Sequence, residues 1–248
     1  MKLAIISDIH SNLEAFRAVL DDAQQKGVDK IYCVGDVIGY GPNPCECLDL
    51  AMDQCQVCLL GNHDNAAMID PNGFNPSAEE AILWTREQID HSRRHDDYWD
   101  FLGTRNPTHI EGNFLFAHGS PSNPLNEYLF PEDVYTGHNK LEKNFAIVKR
   151  CAFVGHTHVP GVFTSPTNFL EPCDLQGAYE LPTEGRKSII NVGSVGQPRD
   201  GDARACYVIL DGDLLTYQRV EYPLNETIEK IHSLPVNAFL GDRLRSGR

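Results

Sequence analysis

A chain of 248 residues with 41% apolar and 23% charged side chains is long enough to bury a full core. Its formal net charge of −14 argues against electrostatic binding to duplex nucleic acid or an anionic membrane, although phosphate still binds where metal ions supply local positive charge. No apolar stretch approaches the ~20 residues needed to span a bilayer, and Asp8 and His10 interrupt the N-terminal apolar run too early for a secretion signal, so the protein reads as cytoplasmic.

The first sixty residues alternate strand and helix. Residues 2–7 are expected as a strand and 12–26 as a helix, with Leu13, Phe16, Val19 and Leu20 at helical spacing, Ser11 or Asn12 as cap and Gly27 as stop. A second strand is expected over 30–34, a second helix over 43–54 and a third strand over 57–60. Such close alternation implies parallel pairing through right-handed crossovers. Residues 65–105 read as a helical insertion. Ser77 with Glu80 suggests a capping box opening a helix that carries Ala78, Ala81, Ile82, Trp84, Thr85 and Ile89, and a second helix is expected over 93–102. The charge run from Asp90 to Asp97, with His91 and His95, reads as a solvated face. The insertion is a candidate wall of a substrate cleft or a dimer interface, which leaves a homo-oligomer open.

From residue 109 onward strands are expected at 109–111, 113–117, 151–154, 161–165, 187–192, 204–210 and 213–221, the last two joined by a tight hairpin at Asp211-Gly212. Residues 120–137 and 166–186 read as loops. The expected organisation is one domain over 1–240 with the insertion at 65–105, followed by a polar, basic and disordered tail at 241–248. Cys45, Cys47, Cys55 and Cys58 have a spacing that could hold zinc, but a helix over 43–54 and a strand from 57 would keep the four thiols apart. Reduced, unpaired cysteines are the default inside the cell.

Five apolar runs each end in metal-binding side chains. They lead into Asp8-Ile9-His10, Gly35-Asp36, Gly61-Asn62-His63-Asp64, His118, and Gly155-His156-Thr157-His158. Sites in α/β sheets form beyond the carboxyl ends of strands, so these residues are expected to meet along one rim of one sheet. A lone histidine is usually a hydrogen-bonded core residue. That explanation fails for a series in which every member follows an expected strand.

This series resembles the calcineurin-like metallophosphoesterase superfamily over about residues 1–210. Ser11-Asn12, Ala117-His118-Gly119-Ser120 and Asn191-Val192-Gly193-Ser194 are similar to its small prokaryotic branch. The resemblance implies an α/β fold, a two-sheet β-sandwich flanked by helices, with a dinuclear metal centre at the strand ends. It implies that Asp8, His10 and His158 bind one metal, that Asn62, His118 and His156 bind the other, and that Asp36 bridges them. Imidazole and carboxylate donors suit two divalent transition-metal ions such as manganese, iron, cobalt, zinc or nickel. The implied reaction is attack on phosphorus by a metal-bridging hydroxide, with His63 as general acid. Asp64 is a candidate to orient His63 or, equally, to cap the next helix.

The protein Ser/Thr phosphatases of the superfamily carry Asp-Arg where this chain has Gly39-Tyr40, so neither the aspartate partner of the catalytic imidazole nor the phosphate-gripping arginine is present there. Asn12, Asn191, Ser194 and Arg199 are candidate substrate-binding residues, the last three in a Gly-rich loop. The expected partner is a small phosphorylated molecule, a monoester or a diester. Hydrolysis of nucleotides or dinucleotide polyphosphates is the alternative, with Trp84, Tyr98, Trp99 or Tyr128 forming a base pocket. A noncatalytic scaffold and a nuclease are the weaker readings: every expected ligand position is filled, and the charge disfavours duplex DNA.

Overall fold

The computed structural model describes residues 1–165, 167–183 and 185–248. In strand β1 (Lys2–Ile6) side chains alternate between two apolar layers, as the period-2 geometry of a strand requires. Leu3 and Ile5 point into a cluster shared with a second sheet, whereas Ala4 and Ile6 pack under helices. Helix α1 (Leu13–Gln25) follows, its N-terminus capped by the Asn12 side chain, which accepts from the Ala15 N–H at 3.1 Å. Then come β2 (Lys30–Cys33), α2 (Pro44–Gln54) and a third strand, β3 (Val57–Cys58), that is shorter than the expected 57–60. These three strands pair in parallel.

A short helix, α3 (Asn62–Met68), begins immediately after β3, with His63 and Asp64 in its first turn. The insertion forms α4 (Pro76–Asp90) and α5 (His95–Gly103). Ile82, Ile89, Tyr98 and Leu102 from these helices join the core that covers the outer face of the first sheet. The expected capping box of Ser77 and Glu80 is not what starts α4. Asn75 is the cap, accepting from the Ala78 N–H at 3.0 Å with Pro76 in the first turn. Glu80 and Ser77 instead accept from the backbone N–H and side-chain amide of Asn237 at 3.0 and 2.8 Å. The charge run between the helices is exposed as expected, and Arg94 pairs there with Asp97 and Asp49.

The chain then enters the second sheet through β4 (Thr108–Glu111) and β5 (Phe114–Ala117). Helices α6 (Asp133–Thr136) and α7 (His138–Ile147) precede β6 (Cys151–Val154) and β7 (Gly161–Thr164). Short strands β8 (Asn168–Leu170) and β9 (Tyr179–Glu180) occupy part of the loop expected over 166–186, of which residues 166 and 184 lie outside the described residues. β10 (Ser188–Asn191), β11 (Ala205–Asp211) and β12 (Leu214–Val220) complete the sheets, and the hairpin between the last two turns at Gly212, whose φ is 61°. One sheet runs β3-β2-β1-β11-β12-β9 and the other β4-β5-β6-β10-β7-β8. They stack through Leu3, Ile5, Tyr32, Phe116, Phe153, Ile190 and Val208. Leu141 and Phe145 of α7 cover the outer face of the second sheet. The result is a two-sheet sandwich flanked by helices.

Two further expectations are corrected. The metal-type residues do not line one rim of one sheet: β1, β2 and β3 lie in one sheet and β5 and β6 in the other, so the rim is a seam between two stacked sheets. The segment expected as a disordered tail is folded. After α8 (Leu224–His232), α9 (Phe239–Asp242) and a 3-10 turn at Arg243–Ser246 bury Leu240 and Leu244 against Ile228, Ile231, Ala81 and Tyr40. Polar composition hid two leucines spaced four apart on one helical face. Leu244→Ala is expected to cost about 2–5 kcal/mol in chemical denaturation, as for other buried leucines. A change within ~0.5 kcal/mol would show that the segment contributes no packing.

Candidate metal centre

Three of the five strand ends, those of β1, β2 and β6, leave the sheet through strained turns that swing polar side chains into the seam. Asp8, His10, Asp36, His156 and His158 have φ values of 54°, 48°, 54°, 67° and 60°, in the left-handed region that non-glycine residues seldom adopt. Such strain persists where the surroundings over-determine it, and it clusters at functional sites. Glycines give the turns their room. A Cβ on Gly61 would strike the backbone nitrogen and Oδ1 of Asp36, and one on Gly155 would strike Ser7 and Asp8.

The seven expected metal ligands converge, and they do so as two sets. In one, His158 Nε2 lies 3.1 Å from Asp8 Oδ1 and 3.1 Å from His10 Nε2, which is 3.6 Å from Asp36 Oδ2. In the other, His118 Nε2 lies 3.3 Å from the same Asp36 Oδ2, 2.9 Å from Asn62 Oδ1 and 3.1 Å from His156 Nδ1. Donor atoms bound to one ion at about 2.0–2.2 Å sit about 3 Å or slightly more from each other, so both sets have the spacing of a coordination sphere. All seven residues are buried.

The imidazoles are oriented by groups no motif records. The Nδ1 atoms of His10, His118 and His158 lie 3.2, 3.2 and 2.6 Å from the carbonyl oxygens of Ile38, Val34 and Gln197. A carbonyl only accepts, so each Nδ1 carries the proton and each Nε2 lone pair faces the seam. His156 is turned the other way: its Nε2 lies 3.4 Å from Asn126 O, which leaves Nδ1 toward the site. Asp8 Oδ2 accepts from the His156 N–H at 3.0 Å, while its buried Oδ1 has no hydrogen-bond partner. Asp36 Oδ1 accepts from the His63 N–H at 2.9 Å, leaving Oδ2 between the two sets. An orphaned carboxylate oxygen amid correctly tautomerised imidazoles fits divalent metal ions.

The buried charges shift one another: a protonated His118 is the countercharge of the two carboxylates, and a divalent ion held there would displace its Nε2 proton. Burial alone would raise the Asp8 carboxyl, but the neighbouring His158 and His118 outweigh it and hold it below the usual range. Burial would lower His118, yet Asp36 and Asp8 reverse that and push it up to about 9. Burial, then repulsion from His118, pulls His156 down to about 3.

His63 borders the first set: one of its ring nitrogens lies within 4.8 Å of ligand atoms of His10 and Asp36, and its ring centre is 4.8 Å from that of His10 and 4.9 Å from that of Phe74. Burial lowers its pKa to about 4. Its Nδ1 is buried without a partner and faces Gly39, where an added Cβ would come within 2.6 Å. Gly39 thus offers this imidazole no side-chain partner, and a Cβ at that position would clash with it. Asp64 does not take over as its orienting partner. Its Oδ2 accepts from the N–H groups of Asp36 and Gly61 at 2.9 and 3.0 Å, and its Oδ1 from that of Ile38 at 3.1 Å. Asp64 caps α3 and pins the loop that carries Asp36.

Three candidate substrate-binding side chains are committed elsewhere. Asn12 caps α1, donates to Gly196 O at 2.9 Å and accepts from Thr227. Asn191 donates to Gly155 O and Thr157 Oγ1 at 2.7 and 2.8 Å, bracing the turn that bears His156 and His158. Ser194 donates to Asp8 O at 2.9 Å. Arg199 does approach the site, over the Tyr40 ring. A cleft of about 310 Å³ opens over the centre, lined by Tyr40, Asn62, His63, Phe74, Tyr128 and His156. Of the four aromatics considered for a base pocket, only Tyr128 reaches it, stacked on His156 with ring centres 3.7 Å apart. Tyr98 and Trp99 are held in the helical layer by bonds to Asp49 and Asp90. Cys45, Cys47, Cys55 and Cys58 are free thiols and form no metal-type cluster among the described residues.

A sandwich of two mixed sheets with Asp, His and Asn side chains gathered at the seam is a phosphoesterase-type scaffold with a candidate metal site. Residues 1–213 match the calcineurin-like phosphoesterase superfamily domain, and the chain belongs to that family. It is 38% identical over 252 residues to an uncharacterized protein of Methanocaldococcus jannaschii, covering 99% of this chain and 98% of that one. The crystal structure of a metallophosphoesterase from Sphaerobacter thermophilus is similar across 100% of this chain and 99% of its own, at 34% identity and a TM-score of 0.85. A symmetrical bis(5'-nucleosyl)-tetraphosphatase of Nitrosospira multiformis is 26% identical over 121 residues, 48% of this chain and 43% of that protein. Among the described residues no helix is long and apolar enough to cross a membrane.

Asp64→Ala removes three hydrogen bonds to a buried carboxylate, each worth about 1.5–3 kcal/mol. It is expected to lower both the melting temperature and the metal content measured by elemental analysis. A variant of unchanged stability and metal content, defective only in turnover, would return Asp64 to the role of orienting His63.

Proposed function

We propose that the protein is a dinuclear-metal-dependent phosphoesterase that hydrolyses phosphomonoesters or phosphodiesters of a small molecule. The observation that carries this reading is the position of Asp36 Oδ2, within 3.6 Å of His10 Nε2 and 3.3 Å of His118 Nε2, so that one oxygen belongs to both donor sets. Asp8, His10, His158 and Asp36 would hold one ion, and Asp36, Asn62, His118 and His156 the other. Two divalent ions held there supply Lewis acidity toward phosphoryl oxygens and the activation of water at neutral pH.

The chain's own residues supply the rest. The neutral amide of Asn62, in place of a carboxylate, leaves its side of the centre more electrophilic. His63 lines the cleft next to Asn62, and the negative charge of a bound phosphate would raise the imidazole that burial lowers, so that it would carry the proton given to the leaving oxygen. Phe74, Tyr40 and the closed wall at Gly39 fix the plane of that ring by packing instead of by a hydrogen bond.

A second reading, hydrolysis of nucleotides or dinucleotide polyphosphates, is favoured by one feature. Tyr128 stacks on His156 and on the half-exposed Phe130, with ring planes 18° and 6° apart. This aromatic step at the mouth of the cleft suits a base.

The test is turnover of 4-nitrophenyl phosphate, bis(4-nitrophenyl) phosphate and a dinucleoside tetraphosphate by metal-stripped protein reloaded with manganese, iron, zinc or nickel. Stripped protein is expected to be inactive. His63→Ala is expected to keep its metals and lose about 10²–10⁴ in kcat on ester substrates. Full turnover without metal, or full turnover by the His63 variant, would sink the mechanism. Metal binding without turnover of any of the three would leave a noncatalytic scaffold.

A further inference from the structure

Two guanidinium groups behind one of the cleft's lining residues take no part in the metal centre. Tyr40, whose ring centre lies 4.4 Å from that of His63 and 4.8 Å from that of His10, is covered by two guanidinium groups. Arg199 comes from the loop after β10, its Cζ 5.9 Å from the ring centre. Arg243 comes from the C-terminal segment, its Cζ at 4.6 Å. We propose that Arg199 and Arg243 form a binding site for a second phosphate group of the substrate, beside the one presented to the metals. The natural ligand is then a bisphosphate or a polyphosphate chain. This inference rests on the phosphoesterase reading for its first phosphate.

Four observations carry it. The chain has 35 acidic residues, yet among the described residues neither arginine lies within 4.0 Å of any carboxylate, in contrast to Arg94, Arg150, Arg204 and Arg219. Arg199 Nε and Arg243 Nε and Nη2 are buried and have no hydrogen-bond partner. The bond that Arg199 Nη2 gives to Gln197 Oε1 at 2.9 Å is to a neutral group. The two cations also disfavour one another: burial, and then Arg199, pull the Arg243 guanidinium down to about 10. Tyr40 offsets part of this cost, through its ring and through a hydrogen bond with the Arg243 guanidinium, but leaves Arg199 Nε and Arg243 Nε and Nη2 without a partner. A phosphate satisfies both deficits at once, because its oxygens accept the forked N–H pairs and its charge separates the two cations.

The placement is firm on both sides. The Arg199 N–H donates to His158 O at 3.2 Å, which ties one cation to a metal-ligand turn. Leu240 and Leu244, flanking Arg243, pack in the same cluster as Tyr40, and the Gly201 N–H donates to Gly247 O at 3.0 Å. Since neither guanidinium reaches Asp8 or Asp36, an anion between them stands beside the metal centre and not on it.

The test is calorimetric titration of the metal-loaded protein with two ligands that cannot be hydrolysed, butylphosphonate and butane-1,4-bisphosphonate. The wild-type protein is expected to bind the bisphosphonate at least ~10-fold more tightly, the value of one charge-assisted pair. Arg243→Gln and Arg199→Gln are expected to lose most of that preference, and Arg243→Lys to keep part of it. Equal affinity for the two ligands in the wild-type protein, or no binding of either, would overturn the proposal. So would a preference that survives both glutamine variants. An equal weakening toward both ligands with a lowered melting temperature would reduce Arg243 to a structural prop for Tyr40. Turnover of 4-nitrophenyl phosphate separates the two readings: turnover without a bisphosphonate preference removes the second-phosphate site alone, and the preference without turnover removes the phosphoesterase reading alone.

Discussion

One carboxylate is fixed from every side before any ligand arrives. Asp36 sits at φ 54° after Gly35, its N–H is held by Asp64, its Oδ1 by the His63 N–H, and the Cα of Gly61 packs against it with no room for a side chain. Only Oδ2 is left, and it points into the seam between the sheets. Burying Asp36 and Asp8 together costs several kcal/mol per ion unless opposite charge is supplied. The left-handed turns add roughly 1–3 kcal/mol of strain each. The family fold accepts these costs at one place, where the donor spacing matches two divalent ions.

The surrounding architecture follows from that constraint. Two parallel runs, one in each sheet, end at the same seam, so short loops from both sheets deliver donors over a few ångströms. Main-chain carbonyls of Val34, Ile38, Asn126 and Gln197 set the tautomer of each imidazole, which makes the backbone of one ligand loop the support of another. The Asn191 and Ser194 side chains tie the loop after β10 to the Asp8 and His156 turns. The fold therefore positions the donors rigidly, while the cleft above them is built from less constrained parts: the aromatic step at Tyr128 and the arginine pair at Tyr40.

The convergence of these seven side chains was legible in the sequence because its signal is redundant. Each of them follows an apolar strand, and the spacing within Asp8-x-His10 and His156-x-His158 survives any shift of helix boundaries. The first helices and most strands were legible for the same reason of periodicity. What was not legible depends on neighbours distant in the chain. Asn12, Asn191 and Ser194 look like ligand-facing polar residues until their partners at Gly196, Gly155 and Asp8 are placed beside them. Asp64 looks like a partner for His63 until three backbone amides claim it. Arg243 carried no signal at all, since a basic residue in a polar segment reads as solvated, and only the burial of Leu240 and Leu244 brings it to Tyr40. The four cysteines near residue 50 gave a spacing without convergence, because a helix and a strand separate them.

The central claim is that the two donor sets are one centre joined through Asp36. Electron paramagnetic resonance of the metal-stripped protein titrated with manganese(II) tests it directly. The account predicts uptake of two ions per chain, with the spectrum of an exchange-coupled pair growing in as the second site fills. Saturation at one ion per chain, or two ions that give only the signal of isolated manganese, would contradict it.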